Sequence, residues 1–523
     1  MAEAANVLDT LRGHATHIGD HVAYWSPFSE WTFARLHRAS NRLAQGMAAD
    51  GIGPGDRVAC LSKHTAETVV VWMAAAKLGA VCMPVNWRLA PPEIAYVLDD
   101  GRAKFLMADA EFADAVAALP NPPARIIASV ADAPFGPSLA HWSQGFDDRD
   151  PGRTPALGDT ALQLYSSGTT GHPKGVELSF ANLAANHAVL THTLGFYGPP
   201  SIMLNALPAF HIAGIGVALF TGGLGAKLVL SPDFVPNQVL DMLVEQHITH
   251  TFLVPAMIQF LLEVPDVAGR DYSRLQGISY GASPISQRVL VNGMKIFGCG
   301  FTQVYGLTEV TGAVTQLFPD DHQTEGDKAQ LLRSAGSAMQ GVELKIVDPD
   351  TGNDLPDGQV GEVWIRTEQN MIGYWNRPEA TAEALVPTPD GPPWFRSGDA
   401  GYLQDGYLFI HDRIKDMIIS GGENIYPAEV ENLLMQHPGV ADGAIFGVPD
   451  ERWGEAVHAA VVPRDPATFD GQKLIAWMRE RLAHFKCPKG VDVMEAIPRN
   501  PSGKILKRVL RAPYWEGRGR QVS

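Results

Sequence analysis

Tyr165-Ser166-Ser167-Gly168-Thr169-Thr170-Gly171-His172-Pro173-Lys174-Gly175 is the stretch on which the reading of the chain turns. These eleven residues hold three glycines, four aliphatic hydroxyls and one lysine, directly after a strand-like run at 160–164. Glycines let backbone N–H groups converge on an oxyanion with no Cβ in the way. Hydroxyls add neutral donors, and Lys174 adds a point charge. The composition suits a loop that grips phosphate. A plain surface turn is the alternative, since Ser/Gly/Thr clusters mark loops in general. No Gly-Lys-Ser/Thr ends the loop and opens a helix, so it is not a Walker loop.

On both sides of this loop the chain alternates between helical and strand periodicity. Upstream, the pattern predicts helices over 31–50, 67–78 and 92–98, with strands over 57–61, 80–85 and 105–108. A Pro-, Asp- and Gly-rich stretch, 121–154, reads as a surface loop. Downstream come helices over 181–194, 212–220 and 236–246, and strands over 202–207, 226–230 and 250–254, with a third pass through 278–280 and 300–304. Such alternation implies an α/β fold, a mainly parallel doubly wound sheet with helices on both faces, and ligands beyond the strand C-termini. From Gly341 the texture changes to alternating strands with Gly/Asp turns, as in 361–366 and 401–410, which predicts a small antiparallel, barrel-like part. A small α+β unit follows, with helices over 427–436 and 471–482 and strands over 440–446 and 457–462. The simplest division is a large domain over 1–414 and a mobile lid over 415–523.

With 523 residues, 46% of them hydrophobic and 19% charged, the chain has material for several large cores. Its formal charge of −16 repels nucleic acid and anionic membrane at long range, so an anionic ligand must be held by local donors. Cys60, Cys82, Cys299 and Cys487 are scattered without metal-ligand spacing, which favours a reducing cytoplasm over a disulfide framework. The longest apolar run, 69–85, contains Lys77 and Gly79 and is short for a membrane span. No signal-peptide layout precedes residue 21, and no peroxisomal tripeptide ends the chain. A soluble intracellular protein is expected.

Further segments carry chemistry. In Tyr305-Gly306-Leu307-Thr308-Glu309 the glycine permits close backbone approach. Thr308 offers a donor to phosphate, and Glu309 offers a hard oxygen suited to Mg²⁺ bridging phosphates; a helix cap with an acidic first turn is the bland alternative. Asp399, in Ser397-Gly398-Asp399, can accept from both hydroxyls of a ribose. The run from Asp412 to Pro427 joins a charged segment to an apolar strand and a Gly421-Gly422 turn, past which a long ligand can run close to the backbone. Lys504 sits on a tight turn, Pro501-Ser502-Gly503-Lys504.

Taken together and in this order, the segments resemble the adenylate-forming superfamily of acyl-CoA synthetases, luciferases and peptide-synthetase adenylation domains, over about residues 31–511. The chain is most like a bacterial fatty-acyl or aryl-acid CoA ligase. The resemblance implies ATP, Mg²⁺ and coenzyme A as cofactors, and residue roles to match. Ser166, Ser167, Gly168, Thr169, Thr170 and Lys174 hold the phosphates; Gly281, Ala282 and Ser283 lie against adenine. Tyr305, Gly306 and Thr308 flank the α-phosphate, Glu309 binds the metal, and Asp399 and Arg413 hold the ribose. Lys415 is the hinge, where many relatives have Asp. Gly421 and Gly422 line the pantetheine tunnel, and Trp453 and Phe485 flank the CoA nucleotide, although Cys487 stands where some relatives have Arg. Lys504 bridges the acid carboxylate and the α-phosphate.

The acyl pocket is expected around His211, as its gate, with Ile212, Gly214, Gly216, Gly281, Gly306 and Gly312. No carboxylate is present there to pair with an ammonium, which argues against an amino-acid substrate. The expected activity is an AMP-forming acid–CoA ligase acting on a medium- or long-chain fatty acid. An aryl-propenoate or a steroid side-chain acid remains an alternative, as do a luciferase-like oxidoreductase and a non-catalytic nucleotide-binding protein. The partners are small molecules, with no nucleic acid and no integral membrane segment; a homodimer is allowed.

Overall fold

The structure is a computed structural model and describes residues 6–166, 173–193, 196, 198–413, 416–420, 423–499 and 505–516. The apolar run 69–85 turns out to be its centre. Helix Ala66–Leu78 buries every residue from Ala66 to Lys77, and ends where Gly79, at φ 71°, donates to the carbonyls of Ala75 and Ala76. A helix apolar on all faces must be covered on all faces. This one packs on helices Phe33–Ala49 and Ile212–Gly223 and on strand Val81–Pro84, in a core shared by two sheets. No helix among the described residues is long and apolar enough to cross a membrane.

The first sheet has seven strands among the described residues, in the order Gly373–Tyr374, Lys174–Ser179, Thr160–Ser166, Val81–Pro84, Arg57–Leu61, Ala103–Ala108, Arg125–Ala128. From Thr160–Ser166 onward the pairings are parallel. Arg57–Leu61 is buried along its whole length, as a strand covered on both faces must be. The stretch 121–154 is therefore not only a loop. Ile127 and Ala128 are buried in the edge strand Arg125–Ala128, and Leu139–Ser143 is a short helix.

The second sheet has a parallel half, in the order Val22–Ser26, Lys227–Leu230, Ile202–Asn205, His250–Leu253, Gly277–Gly281, Gly300–Leu307. Strand Gly312–Leu317 turns back antiparallel on Gly300–Leu307, and the later strands continue outward from it to Glu343–Val347. The barrel-like part is thus an open antiparallel extension of the large sheet, and no closed barrel forms among the described residues. It stays open because Glu343–Val347, at its outer edge, pairs with Gly361–Arg366 and with no other strand among the described residues. A third, five-stranded sheet carries helices Pro427–Leu434 and Gly471–Arg479 over a separate core.

Candidate active site

The glycine-rich loop is the tip of a hairpin. Strands Thr160–Ser166 and Lys174–Ser179 pair antiparallel with Ser166 opposite Lys174, while Ser167, Gly168, Thr169 and Thr170 lie outside the described residues. The stem is braced by Asp100, whose carboxylate accepts from Tyr165 Oη at 2.7 Å and from Arg377 at 2.8 Å, and whose carbonyl accepts from Trp375 Nε1 at 3.0 Å. Burial and the Asp100 carboxylate push the Tyr165 phenol up, so it stays a donor.

Lys174 meets the second half of the site through one aromatic. Its Nζ lies 4.8 Å from the Tyr374 ring centroid, and Tyr374 Oη donates to Glu309 Oε1 at 3.1 Å. Tyr374 therefore stands between the Lys174 cation and the Glu309 carboxylate, touching both. Glu309 stands in the short turn Thr308–Val310, just beyond strand Gly300–Leu307, and its carbonyl accepts from Met371 N at 2.8 Å. Its Oε2 receives no hydrogen bond from the described residues, and no cluster of three or more His, Cys, Asp or Glu surrounds it among them. A single hard carboxylate oxygen of this kind fits a cation whose other ligands are phosphate and water, as for Mg²⁺.

Two close backbone approaches shape the cleft wall around Gly281 and Gly306. A Cβ on Gly281 would lie 2.2 Å from the Val304 carbonyl oxygen, and one on Gly306 only 1.6 Å from that of Gly312. Ala282 adopts φ +68°, which turns the chain out of its strand and places Ala282 and Ser283 on the cleft wall. The helix beyond starts only at Gln287, capped by Ser286, so the 281–284 segment is a loop and not a helix N-terminus. Tyr305 Oη donates to Asp399 Oδ2 at 2.7 Å, and Asp399 N donates to Ser397 Oγ at 3.0 Å. In strand register Arg413 lies opposite Asp399, which brings the two ribose-assigned positions together.

Across the cleft, strand Ile202–Asn205 stops short of the predicted 207 because the buried Asn205 takes over the backbone. Its Oδ1 accepts from Leu207 N at 2.9 Å, and its Nδ2 donates to the Gly214 carbonyl at 3.0 Å. That clamp sets His211 at the start of helix Ile212–Gly223. His211, Ile212, Gly216 and Gly312 line an open cleft of about 2530 Å³, together with Tyr305, Thr308, Glu309 and Asp399. Gly214 does not line it. It is buried with the Pro208 carbonyl oxygen 1.9 Å from where its Cβ would be, so its smallness serves packing. Gly216 differs, since a Cβ there would meet only the Ile212 side chain, with Cδ1 at 3.4 Å and Cγ1 at 3.7 Å.

Burial, aided by the Arg88 charge, pushes the half-buried His211 from 6.5 down to about 4, so its ring is neutral at neutral pH. Burial does the same to His64 and His250, each down to about 4. Between about 6.5 and about 4 the unfolded chain takes up protons at these sites that the folded chain refuses. Stability therefore falls as pH falls. Thermal melts should show a Tm lower at pH 5 than at pH 7.5 by roughly several degrees; a flat Tm across that range would contradict the assignment.

Neither lid aromatic is a core residue. Trp453 is 42% exposed beside Arg452 and Lys489, and Phe485 is 48% exposed beside Lys486. Neither lines the cleft, whereas Cys487 is buried. Lys415, Gly421, Gly422 and Lys504 lie outside the described residues. Tyr374, Asp100 and Asn205 are the contributors that the sequence reading did not single out.

The AMP-binding enzyme family profile matches residues 11–375, and that of the AMP-binding enzyme C-terminal domain matches 429–504. The chain is 40% identical to the fatty acid–[acyl-carrier-protein] ligase ScoC of Streptomyces coeruleorubidus, over 99% of this chain and 98% of that one. It is 39% identical to a feruloyl-CoA synthase of an Amycolatopsis species, over 92% and 94%. Among solved structures it resembles the o-succinylbenzoate CoA synthetase (MenE) of Bacillus subtilis in complex with its acyl-adenylate intermediate, with 30% identity, a TM-score of 0.85, and coverage of 96% and 97%. Profiles that span most of the chain and relatives about 40% identical over nearly all of it show that the chain belongs to the AMP-binding enzyme family and to its adenylate-forming acyl-CoA ligases.

Proposed function

We propose that the protein joins an apolar carboxylic acid to a thiol in two steps, with a medium- or long-chain fatty acid as substrate. In the first step a carboxylate oxygen attacks the α-phosphorus of ATP and pyrophosphate leaves. Lys174 and the glycine-rich loop hold the departing phosphates, Thr308 donates to the α-phosphate, and Lys504 supports charge on both reacting oxygens. Mg²⁺, held by Glu309, would neutralise phosphate charge. Asp399 and Arg413 hold the ribose. In the second step the thiol sulfur attacks the acyl carbon, AMP leaves and the thiol proton goes to solvent. We assign the hinge for the intervening lid rotation to Lys415, between a domain of 1–414 and a lid of 415–523. Gly421 and Gly422 then border the pantetheine path, with Trp453 and Phe485 beside the CoA nucleotide.

The observation that carries this reading is the gathering of Lys174, Tyr374, Glu309, Tyr305 and Asp399 into one cleft whose other end is apolar. Coenzyme A is the proposed thiol. A carrier-protein thiol is the second reading, favoured by the likeness to ScoC. Product analysis by mass spectrometry decides between them when the enzyme is given ATP, a fatty acid and either CoA or a phosphopantetheinylated carrier protein. Acyl-CoA is the expected product; acylated carrier alone would overturn the choice of CoA, and neither product would overturn the reading.

Two variants test the assignments. Tyr374→Phe removes the hydroxyl that donates to Glu309 but keeps the ring beside Lys174. It should raise the Mg²⁺ concentration needed for half-maximal pyrophosphate release several-fold; an unaltered Mg²⁺ requirement would separate Tyr374 from the metal. Gly216→Leu should fold, because its Cβ has room, and should fill the groove. Its kcat/KM should drop roughly tenfold or more for long acids relative to short ones, since each buried CH₂ is worth about 0.8 kcal/mol. Equal loss for all chain lengths would place Gly216 outside the acyl path.

A further inference from the structure

Past the His211 ring, two helices give the acyl groove a mostly apolar wall. Helices Phe180–Thr193 and Ile212–Gly223 line it with Leu190, Ile212, Ala213, Gly216 and Val217, and with the side-chain amide of Asn186. Asn186 is 7% exposed, and its Nδ2 donates to Gln369 Oε1 at 2.7 Å. Its Oδ1 receives no hydrogen bond from any described residue. Asn182, one turn earlier, shows what a fully committed amide looks like here. Its Nδ2 donates to the carbonyls of Glu368 and Asn370, both at 2.8 Å, and its Oδ1 accepts from Ser179 N at 2.9 Å.

Gln369 adds a second surplus. It is wholly buried, its backbone carbonyl is pinned by Thr311 Oγ1 at 2.6 Å, and its Nε2 has no partner. Turning both amides over leaves the same excess, with donor and acceptor exchanged. Asn186 Oδ1 is not shut away while the cleft is open, but an apolar acid covering it would leave it unmatched at a cost of about 1–3 kcal/mol. A Cβ on Gly312 would stand 3.4 Å from Asn186 Nδ2, so the amide faces the same space as the groove-lining Gly312.

We propose that Asn186, braced by Gln369, is a polar subsite of the acyl groove that hydrogen-bonds an oxygen substituent on the acid. The enzyme accordingly selects oxygenated acids over the plain hydrocarbon acids of the same skeleton. This rests on the ligase reading above and narrows its substrate class: an acid that is apolar along most of its length and carries one hydroxyl, oxo or ether oxygen at the depth of Asn186.

The test is acid-dependent pyrophosphate release with matched pairs: octanoic acid against its hydroxylated isomers, ω-hydroxyoctanoic acid included, and cinnamic against para-hydroxycinnamic acid. Each pair is measured on the wild type, Asn186→Leu and Gln369→Met, with the ratio of kcat/KM within a pair as the readout. At least one hydroxylated acid should be preferred by the wild type by about tenfold, the value of one well-placed neutral hydrogen bond. That ratio should fall to about one or below in Asn186→Leu and partly in Gln369→Met, which keeps the test open if Asn186→Leu does not fold. A wild type that prefers every parent acid overturns the inference, as does a ratio that both variants leave intact. No release with any acid removes the ligase reading itself, and this inference with it.

Discussion

Lys504→Ala is expected to cut adenylate formation by about 10²–10³, the loss typical when one preorganised donor to developing negative charge is removed. Thiol transfer from a supplied acyl-adenylate should proceed at close to the wild-type rate. The asymmetry follows from the proposed chemistry. Charge builds on the attacking carboxylate and the α-phosphate only in the first step. In the proposed second step the lid would have rotated and Lys504 would have withdrawn. Stopped-flow measurement of each half-reaction checks both limbs. Equal loss in the two would mean that Lys504 supports the fold or both transition states alike, and the division of labour between the two lid positions would fail.

Gly306→Ala is expected to be nearly as damaging, for a reason of space rather than charge. The new Cβ would sit 1.6 Å from the Gly312 carbonyl oxygen and 2.9 Å from Ala313 Cα. Both obstacles are backbone, so no rotamer change relieves them. The pair Gly300–Leu307 and Gly312–Leu317 must part, and that pair carries Tyr305, Thr308 and Glu309. A displacement of the order of 1 Å at reacting groups can cost about 10² in rate. The variant should lose at least that much kcat/KM for ATP, together with a lower Tm. Gly216→Ala is the control, because its Cβ would touch only the movable Ile212 side chain. Wild-type kinetics in Gly306→Ala would show that this turn does not position the phosphate side of the cleft.

What could be read in the sequence was whatever a local pattern encodes. Alternating periodicities announce the α/β halves, and they place a helix and a strand along the apolar run 69–85, although not that both would be wholly buried between two sheets. The texture change after Gly341 predicts antiparallel strands. It does not say whether they close, because closure would need the outermost strand, Glu343–Val347, to find a second partner, and no local pattern encodes that. Strand Lys174–Ser179 went unread because the loop motif drew its first residues. The edge strand Arg125–Ala128 was hidden among the turn formers of 121–154.

The same division runs through the site. Gly281, Gly306, Glu309 and Asp399 announce themselves by residue type within short motifs. Tyr374 does not, since its value comes from pairing with Val176 and from standing between Lys174 and Glu309, all far away in the chain. Asn186 gives no signal either, because a helical asparagine looks the same whether its amide faces solvent, backbone or groove. Gly214 misleads in the opposite sense: its smallness suggests room for substrate, whereas the Pro208 carbonyl occupies that space.

The most direct test of the central claim is acid-dependent exchange of labelled pyrophosphate into ATP, run with Mg²⁺ and a fatty acid but no thiol. A two-step ligase predicts exchange that requires the acid, needs no CoA, and is accompanied by AMP once CoA is added. ATP cleaved to ADP and phosphate, or exchange that appears only when CoA is present, would mean that no free-standing acyl-adenylate forms and would contradict the account.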